Sequence, residues 1–202
     1  MLEETPTEPF AAPLPESGGG GASARRMKHR RRVVAEWIII VIAAVLVSFL
    51  MRTYVVQTFY IPSASMEPTL QIGDRIIVSK LSVDFGTIHQ GDILVFKAPP
   101  AEHCGEVVTD LVKRVIGLPG DHLTSKGNTI YDNGLAVKET WTHSEPLGTS
   151  IGNVIVPPNA YFMMGDNHAD SCDSRMWGSV PKADVIGKVF LRIWPVSRIG
   201  FL

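Results

Sequence analysis

An uninterrupted apolar segment near the amino terminus constrains this chain more than any other feature of its sequence. The run Val33–Met51 contains one charged side chain, Glu36. As a helix it would extend about 28 Å, close to the hydrocarbon thickness of a bilayer. Six basic side chains occupy residues 25–32, immediately before the run. The length and apolar character of the run predict a transmembrane anchor over residues 33–52. Since basic residues stay on the cytoplasmic side of a membrane, its amino-terminal end is predicted to face the cytoplasm.

A cleaved secretory signal is the alternative interpretation of this segment. Such a signal has a shorter apolar region and a basic region close to the first residue, whereas here residues 1–24, rich in Pro and Gly, come first. Ser63-Ala64-Ser65 does resemble a small-x-small cleavage site, so the alternative stays open. With an uncleaved anchor, we expect residues 1–32 to be a disordered, basic-ended cytoplasmic tail and residues 53–202 to be extracytoplasmic.

The charge and cysteine content of residues 53–202 bear on possible partners. This part carries slightly more acidic than basic side chains, which argues against a nucleic-acid-binding face. The expected partner of the anchor is the lipid bilayer. Its two cysteines, Cys104 and Cys172, would lie in a compartment that permits a disulfide. Two free thiols are the alternative, and spacing alone does not decide between them.

Short β-branched or aromatic runs dominate the chain after residue 53, and no long stretch there has a helical period. Runs bounded by Gly, Pro or Asp are predicted to be strands. They are Arg75–Ser79, Asp92–Phe96, Leu111–Ile116, Asn153–Val156, Tyr161–Met164 and Val185–Ile193. The fold class predicted from this pattern is mainly β.

Ser65 is the first candidate for a reactive side chain. Pro62 and Pro68 restrict the backbone around it, so we expect its hydroxyl on a rigid, non-helical turn. A serine hydroxyl needs a base to become a nucleophile. Lys113 is the candidate, because in a strand over residues 111–116 it shares a face with apolar neighbours, and burial lowers the pKa of a lysine. An ordinary surface serine and a surface lysine with a packed stem are the alternative.

The polar segment Gly165–Arg175 is rich in groups that form hydrogen bonds. Asp173 and Arg175 could pair and brace a site, and Ser171 could orient an amine. The same segment could bind Ca²⁺, but it lacks the glycine that an EF-hand loop requires. Zinc ligands drawn from the cysteines and nearby histidines match no standard spacing. We therefore expect neither a metal nor a cofactor.

Several short motifs closely resemble the conserved boxes of bacterial type I signal peptidases, in the same order. They are Ser65–Leu70, Gly73–Arg75, Lys113–Asp121 and the final box from Gly165 to Gly178. Each motif alone is moderately specific, and the ordered set with an anchor before it is much more so. The resemblance covers roughly residues 33–195.

The resemblance implies a role for each matching residue. Ser65 matches the nucleophile of the family, and Lys113 matches its general base. Ser63 matches the position whose hydroxyl joins the Ser65 backbone N–H in the oxyanion hole. Ser171 matches the serine that forms a hydrogen bond with the lysine.

The resemblance also implies a supporting ion pair, a fold and a substrate. Asp173 and Arg175 match the ion pair. The implied fold is a mainly β catalytic core, here with one N-terminal transmembrane helix and a small cap insertion at about residues 122–160. The implied substrates are secretory preproteins with signal peptides, cut after an Ala-x-Ala-like pattern.

The sequence therefore predicts a membrane-anchored serine endopeptidase that removes signal peptides at the bacterial cell membrane. One alternative is a self-cleaving regulator similar to the SOS repressors, which resemble this family in dyad and core fold. Those proteins are soluble, and residues 1–52 offer no DNA-binding domain. A second alternative is an anchored, non-catalytic binding module, for which Ser65 would be dispensable.

Overall fold

The computed structural model describes residues 34, 36–49, 55–100, 109–142 and 146–202. Contacts between residues divide the chain into two units, Met1–Ser48 and Phe49–Leu202.

The described residues before position 50 are helical (α1, residues 34 and 36–49). Within the described part of the chain, no helix has both the length and the apolar character needed to cross a membrane. The predicted tail, and positions 33, 35 and 50–52 of the predicted anchor, lie outside the described residues.

The second unit is built from short strands, and the prediction of a mainly β fold is confirmed. In its described residues the strands are β1 Val56–Tyr60, β2 Arg75–Ser79, β3 Ile93–Lys97, β4 Asp110–Gly117, β5 His122–Lys126, β6 Thr129–Asp132, β7 Leu135–Ala136, β8 Val154–Ile155, β9 Ala160–Met164, β10 Val180–Pro181, β11 Val185–Trp194 and β12 Gly200–Phe201. Two short α-helices accompany them, α2 Leu81–Asp84 and α3 Ser174–Trp177.

Among the described residues, eight of these strands form one antiparallel sheet. The order is β1-β2-β11-β3-β4-β9-β10, with β12 beside β11. β1 is an edge strand. β4 pairs with β3 from Asp110 to Arg114, but its pairing with β9 starts only at Arg114. No described strand therefore covers the second edge of Asp110–Lys113.

A second sheet is inserted into the chain between β4 and β9. Its four described strands follow the order β7-β6-β5-β8. We call this sheet and its connecting segments the cap. The cap overlaps residues 122–160, where the sequence analysis places an insertion. Leu123, Ile130 and Val156 of the cap pack with Ile116 of β4 and Phe162 of β9 in one buried cluster.

Alternation of side chains explains how the large sheet buries its core. In β2, Ile76 and Val78 are fully buried while Arg75 is exposed, as expected for a strand with one face on the core. Four consecutive residues of β3 and all five of β9 are buried, so both faces of these strands are covered. The two strands that pair with β4 are therefore packed on both faces.

The strand predictions agree with the structure where the pattern is strong. The six predicted runs overlap β2, β3, β4, β8, β9 and β11. The prediction omits β1, the cap strands β5 to β7, and the short strands β10 and β12. β1 mixes apolar residues with Gln57 and Thr58, β5 and β6 are rich in polar residues, and β7, β10 and β12 have two residues each.

Gly187 gives a test of the register between β11 and β2. A Cβ at this position would lie 2.5 Å from Val78 Cγ1 and 2.6 Å from Ser79 O. We expect Gly187→Ala to lower the free energy of unfolding by about 2 kcal/mol, because the two strands must separate to admit the methyl group. Chemical denaturation measures this.

Gly152→Ala is the matched control, since a Cβ at Gly152 would have no atom within 4 Å and the φ of this residue is not positive. Equal stability of the two variants would contradict the close approach of β11 to β2.

Candidate active site

Ser65 lies in the turn after β1, formed by residues 61–70 and called the serine turn below. This turn is fastened at both ends, because Ile61 N–H donates to Asp74 O (3.0 Å) and Leu70 N–H donates to Met66 O (2.8 Å). Ile61, Met66 and Leu70 are buried in the core beside β2 and β3. Ser65 is thus held on a non-helical turn, as expected, and its partly buried side chain lies at the surface of the core.

Lys113 lies on β4 and points at this serine. Its side chain is almost fully buried, and Nζ is 2.7 Å from Ser65 Oγ. Burial lowers the pKa of Lys113 from 10.5 to about 8, against the nearby carboxylate of Asp173, which raises it. A substantial fraction of the amine is therefore neutral near pH 8, with a lone pair available to accept the serine proton.

A chain of hydrogen bonds orients the lysine from its other side. Nζ donates to Ser171 Oγ (3.1 Å), and Ser171 Oγ donates to Asp173 Oδ2 (2.7 Å). Arg175 grips the same carboxylate through Nε (2.8 Å to Oδ1) and Nη2 (2.7 Å to Oδ2). Because the hydroxyl proton of Ser171 is donated to Asp173, Ser171 Oγ can only accept a hydrogen bond from Lys113. The lone pair of the neutral amine therefore remains free to accept the proton of Ser65.

Ser63 lies beside the hydroxyl of Ser65. Its Oγ is 3.4 Å from Ser65 Oγ, and both residues line the same groove. The structure thus brings together all six residues that the sequence analysis assigns to the site: Ser63, Ser65, Lys113, Ser171, Asp173 and Arg175.

The sequence analysis missed the residues that attach Gly165–Arg175, hereafter the active-site loop, to the serine turn. Asn167 N–H donates to Ser65 O (3.1 Å), and its side-chain amide donates to Ala64 O (3.4 Å). A Cβ at Gly165 would collide with Ser65 O and Ser171 Oγ. Only a glycine lets the two segments approach this closely, and the run Gly165-Asp166-Asn167 in the sequence is the signal for it.

A second buried ion pair fixes the start of this loop. Arg114 donates to Asp166 through Nε (2.8 Å) and Nη2 (2.6 Å), and its guanidinium lies 4.6 Å from the centre of the Trp141 ring. Asp166 and Asp173, two carboxylates of the segment considered above for Ca²⁺ binding, are thus both held by arginines. Within the described residues no group of three or more His, Cys, Asp or Glu is arranged to hold a metal.

An open groove of about 430 Å³ leads to Ser65 and Lys113. Residues 59–66 line one side of it and residues 110–113 the other. The second side includes the part of β4 whose edge no described strand covers. Cys172 also lines the groove and is disulfide-bonded; Cys104, the other cysteine of the chain, lies outside the described residues.

The site combines a serine hydroxyl, a buried amine beside it and an open strand edge. This arrangement is suited to hydrolysis of an extended peptide. Residues 34–194 match the family described as signal peptidase, peptidase S26. The chain belongs to this family of peptidases, and the resemblance described above is confirmed.

Similar proteins include a probable signal peptidase I-2 from Synechocystis, which is 40% identical over 79% of this chain and 72% of its own length. A signal peptidase I from Leptolyngbya laminosa is 38% identical over 79% of both chains. A signal peptidase I from Bacillus caldolyticus is 38% identical over 78% of this chain and 90% of its own. The similarity thus extends over most of each protein.

Burial of Lys113 has a measurable effect on stability. Since the pKa falls from 10.5 in the unfolded chain to about 8 in the folded one, the folded state carries the charge at a cost of about 3 kcal/mol below pH 8. Lys113→Met removes this cost. We expect the variant to be more stable than the wild type by about that amount at pH 6–7, with the difference shrinking between pH 8 and pH 10.5.

Urea denaturation at several pH values measures the difference. Lys97→Met, at the exposed end of β3, is the matched control. A difference between Lys113→Met and wild type that stays constant from pH 7 to pH 10.5 would show that the lysine is not desolvated.

Proposed function

We propose that this chain is a membrane-anchored serine endopeptidase that removes signal peptides from secretory preproteins with a Ser65–Lys113 dyad. The observation that carries the proposal is the 2.7 Å approach of Lys113 Nζ to Ser65 Oγ in a setting that brings the lysine pKa to about 8. A lysine that stayed fully charged in this position would have no lone pair with which to accept a proton near neutral pH.

The proposed reaction transfers a proton from Ser65 to Lys113 and then to the departing amine. Lys113 Nζ accepts the Ser65 proton as Oγ attacks the scissile carbonyl carbon. The hydroxyl of Ser63 and the backbone N–H of Ser65 stabilise the oxyanion that forms. Lys113, now an ammonium, donates its proton to the departing amine. The lysine amine then activates a water molecule that hydrolyses the acyl-enzyme, which regenerates Ser65.

Substrate binding by strand addition fits the groove. An extended peptide would lie between residues 59–64 and residues 110–113, where it can form main-chain hydrogen bonds with backbone that no described strand occupies. Small pockets beside Ser65 would select alanine-like side chains by excluding larger ones. This accounts for cleavage after an Ala-x-Ala-like pattern.

We place the active site on the extracytoplasmic side of the bacterial cell membrane, with the amino terminus in the cytoplasm. The apolar helical residues 36–49 and the basic residues before them support a single anchor of this orientation. The disulfide at Cys172 is consistent with an oxidising compartment. Tethering near the bilayer would raise the local concentration of substrates that are themselves held there.

Removal of either member of the dyad tests the proposed reaction. We expect Ser65→Ala and Lys113→Ala each to lower kcat/KM at least about a thousand-fold toward a preprotein with an Ala-x-Ala site, because nucleophile and base act as a unit. Incubation of the purified full chain in detergent, with the cut mapped by mass spectrometry, measures this.

Ser150→Ala is the matched control, since Ser150 is exposed in a loop of the cap within a G-x-S-x-G sequence. Cleavage at the wild-type rate by Ser65→Ala would reject the peptidase dyad and leave a non-catalytic role. Loss of activity in Ser150→Ala with a normal Ser65→Ala would assign the nucleophile to that loop.

The pH profile tests the role of the amine separately. Because the base works only when it is deprotonated, we expect kcat/KM to rise with pH and to level off above the lysine pKa of about 8. Initial rates between pH 6 and pH 10 define the midpoint. A rate that is constant or falls over that range, under conditions where chemistry limits turnover, would contradict a lysine base.

A further inference from the structure

A buried histidine–glutamate pair joins the cap to the active-site loop. His168 Nε2 lies 3.2 Å from Glu139 Oε1, and the two side chains are 4% and 11% exposed. Neither atom has a hydrogen-bond partner among the described residues, so each depends on its electrostatic contact with the other. Separating them would leave two polar groups unpaired inside the protein, so the contact resists opening.

The two residues come from different parts of the fold. Glu139 follows β7 in the cap, and His168 belongs to the active-site loop. Arg175 connects the same two parts, because its guanidinium donates to Leu147 O of the cap and to His168 O (2.9 Å). The backbone and the side chain of His168 are thus both held, one by Arg175 and the other by Glu139.

Residues on either side of His168 contact the reacting groups. Asn167, immediately before it, donates to Ser65 O. Ser171, three residues after it, forms the hydrogen bond with Lys113 Nζ. A displacement of the His168 ring would therefore shift the supports of the serine and of the lysine at the same time.

We propose that Glu139 and His168 form a positioning pair through which the cap holds the active-site loop in the geometry needed for catalysis. Neither side chain lines the groove, so neither is a catalytic residue. The pair acts on the distance and direction between Ser65, Lys113 and Ser171. Loss of the pair should consequently lower kcat and leave the binding of substrate unchanged. This inference rests on the proposed function.

Glu139→Gln, His168→Gln and the double variant test the pair in the full chain with the preprotein substrate. We expect each single substitution to lower kcat about ten-fold, with KM within about two-fold of wild type. The double variant should lose no more than the more impaired single variant, because both substitutions break one contact. Near-ultraviolet circular dichroism confirms that each variant is folded.

His89→Gln is the matched control, since His89 also faces a carboxylate, that of Asp92 (3.8 Å), but is 68% exposed. Its kcat should equal that of wild type. If Glu139→Gln does not fold, Glu139→Asp, which withdraws the carboxylate by one methylene, replaces it and should lose kcat in the same sense.

Unchanged kcat in the folded variants, losses that multiply in the double variant, or a change in KM alone would each overturn the positioning role. The outcome is distinguishable from failure of the proposed function. Cleavage retained by Ser65→Ala would overturn the dyad itself, whereas an inactive Ser65→Ala beside fully active Glu139 and His168 variants would overturn only the pair.

Discussion

Removal of water from the amine of Lys113 is the constraint on which the rest of the site depends. The group is buried because the serine turn and the active-site loop close over it, and the hydroxyls of Ser65 and Ser171 are its hydrogen-bond partners. Desolvation alone favours the neutral amine, and the carboxylate of Asp173 opposes it. The pKa of about 8 is the balance between the two effects.

Arg175 explains why the carboxylate does not dominate that balance. Asp173 is fully buried and lies close enough to hold Lys113 as an ammonium ion, which would be an ineffective base. The guanidinium of Arg175 neutralises the carboxylate with two hydrogen bonds and itself acts to lower the lysine pKa. The ion pair therefore supplies an acceptor for Ser171 without leaving an unbalanced negative charge beside the amine of Lys113.

The sequence carries the core of the site but not its supports. Ser65 and Lys113 could be singled out because two prolines fix a turn and an alternating strand buries one lysine, and both features are local. The polar segment itself indicated that Asp173 could pair with Arg175 and that Ser171 could orient an amine, whereas the role of Ser63 came from the family resemblance. The approach of Gly165 and Asn167 to Ser65 joins segments far apart in the chain, and the run Gly165-Asp166-Asn167 signals a close approach without naming its partner. The approach of Glu139 to His168 has no local pattern at all.

The position of the cap in the chain gives these tertiary contacts a further consequence. The cap is inserted between β4, which carries Lys113, and β9, which leads into the active-site loop. Its apolar residues pack with Ile116 and Phe162 of those two strands, so one buried cluster joins the cap to both. Under the proposed positioning role, a segment that contributes no group to the reaction would determine how the loop meets the lysine, and packing in the cap would become part of the condition for catalysis.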